Sequence, residues 1–142
     1  MGRTVLAAAR NNNPTDLHVQ YDFSIYKQGG KFLNVACVIA PNGFPGFPFQ
    51  GAALLGWGSG RYRESNVYLC CAPLNGIGLQ SAWRFLTGPG PSANPQWGSD
   101  QRAAADLFFQ LQVGELSVML VKHLGIWLML YNASSLAESM RG

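Results

Sequence analysis

From Leu17 the chain alternates, with Val19, Tyr21, Phe23 and Ile25 at every second position, as a half-buried strand requires. The segment Lys27-Gln28-Gly29-Gly30 can turn such a strand back, so the pattern predicts a hairpin from Leu17–Tyr26 into Lys31–Ala40. The return segment is almost continuously apolar through Val35, Ala36, Cys37, Val38 and Ile39, which predicts a central strand covered on both faces. Asn66–Ala72 reads as a further strand, Val67, Leu69 and Cys71 alternating with Tyr68 and Cys70. The longest apolar tract, Leu116–Tyr131, is broken only at Lys122-His123-Leu124-Gly125. Its alternation on either side predicts a second hairpin with a four-residue turn.

Other segments are read less directly. Ala52–Trp57 is a short apolar run of ambiguous type, closed by Gly58-Ser59-Gly60. In 76–87 the residues Leu79, Ala82, Trp83 and Phe85 suit a short helix better than a strand. Ser99 can cap a helix over 99–112, with Ala104, Leu107, Phe108 and Leu111 on one face and Gly114 at its end. A strand is the rival, since Leu107, Phe109, Leu111 and Val113 also alternate. The first ten residues read as a tail or short helix, and 134–141 as a short terminal helix. Two loops rich in proline and glycine, 41–51 and 88–98, separate these elements. The resulting expectation is a single domain over 1–142 of the α+β class: antiparallel hairpins forming one sheet or barrel, with one or two helices against it.

Composition changes the picture in one respect. Ten Lys and Arg and seven Asp and Glu make only 12% of the chain charged, against about 25% in an ordinary soluble domain. A domain of this mass still shows about 7,000 Å² to water, and 48% of its residues are hydrophobic. Part of the exterior is therefore expected to lie against other protein. The two loops supply candidate anchors, Phe44, Phe47, Phe49 and Trp97; the alternative is that these rings fold back over the domain's own core. A membrane span is not expected, because Glu115, Lys122, His123 and glycines interrupt the last apolar tract.

Chemistry-bearing motifs are sparse. Gly56-Trp57-Gly58-Ser59-Gly60 followed by Arg61-Tyr62-Arg63 is the nearest approach to an anion site, but it matches neither the dinucleotide nor the nucleoside-triphosphate loop. With Trp57 and Tyr62 nearby, Lys27, Lys31, Arg61, Arg63 and Arg84 could hold single-stranded nucleic acid, bases stacking on rings beside cations. His18 and His123 have no companion at ligand spacing, so neither a metal site nor a cofactor is expected. Asp16 could orient His18, although Asn13-Pro14-Thr15-Asp16 reads first as a turn. Cys37, Cys70 and Cys71 are odd in number, and adjacent Cys70 and Cys71 would point to opposite faces of a strand. A reducing, intracellular compartment follows better than a disulfide framework. Asn132-Ala133-Ser134 matches a glycosylation acceptor, by chance on that reading.

No catalytic set emerges. The sequence favours a non-enzymatic, homo-oligomeric structural or assembly protein, for example a component of a virion or other shell, joined through aromatic loops and apolar strands. A single-stranded nucleic-acid-binding module is the alternative, and an enzyme whose site assembles from distant residues a third.

Overall fold

The computed structural model describes residues 4–9, 12–23, 30–44, 46–88 and 94–133. Nine strands account for most of them: β1 Val5–Ala9, β2 Leu17–Asp22, β3 Asn34–Ala40, β4 Ala53–Ser59, β5 Ser65–Pro73, β6 Arg84–Leu86, β7 Trp97–Gly98, β8 Phe108–Val121 and β9 Ile126–Ala133. β1 and β2 form a two-stranded ribbon; the other seven form one antiparallel sheet, ordered β3-β4-β5-β6-β7, with β8 joined to β5 and β9 to β8. β5 is the fork. Its start pairs with β8 at Ser65 and Val67, and its later residues Cys70 and Cys71 pair with β6.

β4 and β5 separate two cores. Tyr68, Cys70 and Ala72 face a cluster containing Tyr21, Phe23, Phe32, Trp83 and Phe85. Val67, Leu69 and Cys71 face a second, built on Leu55, Trp57 and Leu86 and covered by the inward residues of β8 and β9. Alternation along β5 thus serves two interiors at once, and the adjacent cysteines do point to opposite faces. Trp83 is wholly buried, stacked on Tyr21 at 4.6 Å, and its indole N–H donates to Ile77 O at 3.1 Å. On the other face Trp57 meets Trp127 of β9 at 5.2 Å, so the β8–β9 hairpin folds back across the sheet that carries it.

The α+β expectation is overturned. Among the described residues the helical segments are three-residue 3₁₀ turns, Leu74–Gly76, Gln80–Ala82 and Gln101–Ala103. The expected helix over 99–112 fails because its backbone groups are taken by distant partners. Lys31 Nζ donates to the carbonyls of Arg102 and Ala104, at 2.9 and 2.6 Å, which a helix would offer to its own N–H groups four residues on. The N–H groups of Ala105 and Leu107 go to Leu86 O and Val67 O. Asp100, not Ser99, caps the short turn, accepting from Arg102 N, and the rival strand reading holds from Phe108 onward. In 76–87 the helix gives way to β6, whose Phe85 lies opposite Cys70. The first segment is a strand despite Ala7-Ala8-Ala9, since pairing with β2 outweighs alanine's helix preference. Residues 134–141 lie outside the described residues.

Strand pairing also departs from the first expected hairpin. β2 pairs with β1, and β3 pairs with β4. A bulge breaks the parity of β2: Leu6 lies opposite Tyr21 but Ala7 opposite Val19, leaving Gln20 extra, so Leu17 and Val19 face water while Tyr21 faces the core. β3, expected at the centre, is at the margin of the sheet, with Cys37 and Ile39 exposed. The strand covered on both faces is β4, every residue of which is buried. The last hairpin forms as the alternation requires, Val121 opposite Ile126 across the turn 122–125, whose Gly125 takes φ +63°.

Candidate functional site

β8 and β9 present two different faces. After a bulge between Val113 and Leu116 the register pairs Leu116 with Tyr131, Val118 with Met129 and Leu120 with Trp127; of these, Leu116, Val118, Trp127, Met129 and Tyr131 pack on the second core. The intervening pairs, Ser117 with Leu130, Met119 with Leu128 and Val121 with Ile126, point outward. Leu130 is 77% exposed and Met119 57%, with Leu124, Leu128 and Ile126 also open to water. None of these positions is charged. Charge appears only at the two ends of the ladder: Glu115 beside the bulge, Lys122 in the turn. Among the described residues β9 has a ladder partner on one edge alone, β8, so within them the opposite edge of this uncharged eight-residue strand carries N–H and C=O groups without a strand beside them.

The bulge has identifiable supports. Gly114 lies under the Tyr62 ring, where a Cβ would come within 2.7 Å of a ring carbon, and its carbonyl accepts from Ser59 Oγ at 2.9 Å. Ser59 is buried at the end of β4, so a single hydroxyl ties the central strand to the kink in β8. β8 then runs close to β3, and the seam holds an open cleft of about 570 Å³ lined in part by Asn34, Val35, Glu115 and Leu116.

The four expected anchors do gather. Phe44 lies 5.2 Å from Phe47 and 5.9 Å from Trp97, Phe47 lies 5.5 Å from Phe49, and the Trp97 indole donates to Gly46 O at 2.9 Å. All four are half-buried and pack on the second core. These four rings close over the sheet, while five outward apolar side chains, Met119, Leu124, Ile126, Leu128 and Leu130, gather elsewhere, on the β8–β9 hairpin. Sequence reasoning recognised that hairpin but did not single out Met119, Leu128 and Leu130; the alternation of its apolar residues was the available signal.

The basic residues do not converge. Lys31 binds the carbonyls of the 101–104 turn and lies 5.0 Å from the Tyr68 ring centre. Arg84 donates to Ser81 O and Trp83 O and covers Phe49. Trp57 is buried in the second core. Arg61, Tyr62 and Arg63 share the β4–β5 turn, Arg61 pairing with Glu64 at 3.2 Å and Arg63 stacking over Tyr62. Lys27 lies outside the described residues. The glycines before this turn ring no anion: Gly56 and Gly58 are inside β4, and Phe32 covers Gly58.

His18 Nε2 meets Asp16 Oδ1 at 2.7 Å, both half-exposed on the ribbon, while His123 is exposed in the last turn. All three cysteines are free thiols; burial pushes Cys37 up to about 11 and raises Cys70 and Cys71 further. Among the described residues no three His, Cys, Asp or Glu side chains gather as a metal site, and no helix is long and apolar enough to cross a membrane. Compared with protein-family models, curated proteins and solved structures, the chain has no match in any of the three.

Proposed function

We propose that this protein is a self-assembling structural subunit and that the β8–β9 hairpin is its contact with a second copy. The observation that carries the reading is the outward ladder of Met119, Ile126, Leu128 and Leu130 beside an edge of β9 that no described strand pairs. With Leu124 it leaves on the order of 500 Å² of apolar surface in water, near the upper limit for a monomer. Two copies together reach about 1,000 Å², where specific interfaces begin.

Three features favour another copy of this chain over a different partner. β9 has no charged residue, so pairing it with itself sets no like charges side by side. An antiparallel arrangement about a two-fold axis brings the Glu115 end of one hairpin to the Lys122 end of the other, which is attractive at both ends. The free edge accepts an extended strand, and β9 is one. A shell or virion component is one form that such a subunit takes.

Sedimentation equilibrium of the full chain across the micromolar range tests this. The expected result is a dimer or larger species that Leu128→Lys with Leu130→Lys converts to monomer without changing the circular dichroism spectrum. A wild-type monomer throughout that range, or an oligomer indifferent to both lysines, overturns the proposal.

A further inference from the structure

Cys37, Gly56 and Cys70 stand in one row across β3, β4 and β5, each opposite the next in the antiparallel register. Residues paired in this way share a face of the sheet, and the middle position of the row has no side chain. The flanking sulfurs close over it: a Cβ on Gly56 would lie 2.7 Å from Cys70 Sγ and 3.8 Å from Cys37 Sγ. The two sulfurs are therefore no farther apart than the 6.5 Å to which those distances add.

A disulfide is the wrong product for this geometry. The Cα atoms sit two strand spacings apart, about 9.5 Å, whereas a disulfide spans roughly 7 Å at most. A single atom between the sulfurs suits it better, because two metal–thiolate bonds of about 2.3 Å separate their sulfurs by about 4.6 Å. The donor set then selects the ion. Zinc takes four ligands in a structural site, and among the described residues no third His, Cys, Asp or Glu joins this pair. Soft closed-shell ions favour thiolates and need fewer donors.

We propose that Cys37 and Cys70 form a two-coordinate thiolate site for a soft cation of the Cu(I) class. Binding breaks two S–H bonds, forms two metal–sulfur bonds and releases two protons to water; no electron changes hands. Cys37, exposed on the marginal strand β3, gives the route of entry. Cys70 is fully buried and donates its S–H to Gly56 O at 3.4 Å, a weak bond that the ion replaces. Cys71 points into the other core and takes no part.

The test delivers Cu(I) to the full chain under nitrogen as its bicinchoninate complex. Stoichiometry is read by native mass spectrometry and the ligand shell by X-ray absorption. One copper per chain with two sulfur neighbours is expected, lost in Cys37→Ser and in Cys70→Ala and kept in Cys71→Ala. Cys37→Ser is the decisive variant, since an exposed edge position can lose its sulfur without disturbing the core; thermal unfolding of each variant verifies the fold. Copper retained by either single variant, copper lost with Cys71, or Zn(II) held as tightly as Cu(I) overturns the proposal.

Discussion

β4 and β9 are both apolar strands without a charged residue, and they end in opposite surroundings. β4 has β3 and β5 on its edges and a core on each face, so all seven of its residues are buried. β9 has β8 on one edge and a core on one face, and its outward positions stay in water. The difference lies in side-chain size. Glycines at 56 and 58 let sulfur and the Phe32 ring come down onto the backbone of β4. β9 puts Ile126, Leu128 and Leu130 on its outer face, and among the described residues no layer covers them. Apolar content alone therefore does not distinguish an inner strand from an interface strand; the room left for a covering layer does.

The comparison breaks most visibly where the layers meet. Trp57→Ala removes the indole that joins β4 to Trp127 of β9 and should cost about 3–5 kcal/mol in urea unfolding. A loss below about 1 kcal/mol would mean that the hairpin does not depend on the central strand. Gly58→Ala drives a methyl into the Phe32 ring and should cost about 1–3 kcal/mol, while an added methylene on the outer face of β9, as in Asn132→Gln, should leave the midpoint unchanged. Lys31→Met strips the 101–104 turn of its donor and should cost about 1–3 kcal/mol, exposing 101–107 to faster amide exchange.

A smaller effect depends on pH. The Cys37 thiol is raised by burial from 9.0 to about 11, so the folded chain holds its proton where the unfolded chain has lost it. That stabilisation is present below about pH 9 and disappears as the pH rises through about 11. The unfolding midpoint should fall over this window, and less so in Cys37→Ser; identical slopes would show that the Cys37 thiol of β3 is not desolvated against Gly56. Least of all, Arg61→Ala should leave stability unchanged, because its pair with Glu64 is exposed.

Particular residues show how far the sequence could be read. The β8–β9 hairpin was legible because Leu116, Val118 and Leu120, then Ile126, Leu128 and Leu130, repeat at the strand period around a glycine turn. β5 was legible for the same reason. The helix over 99–112 was misread because Ala104, Leu107, Phe108 and Leu111 fit a helical face while the opposing demands, Lys31 on two carbonyls and Leu86 and Val67 on two N–H groups, come from elsewhere in the chain. The aromatic loops were recognised as unusual, but whether Phe44, Phe47, Phe49 and Trp97 faced outward or inward depended on their packing against the second core, which local sequence does not describe.

The sequence by itself determined the strands at β2, β3, β5 and β9 and the later part of β8, the hairpin turn at 122–125, the opposite facing of Cys70 and Cys71, and a shortage of charge that has to be met somewhere on the surface. Those properties follow from period, turn chemistry and composition, which are local or additive. Only the tertiary structure decided that β2 pairs with β1, that β4 rather than β3 lies at the centre, that Cys37 and Cys70 meet over Gly56, and that the bare apolar surface is on β9. Strand pairing and layer packing join residues far apart in the chain, and their energies depend on which partner is nearest in space, a quantity that no single segment encodes.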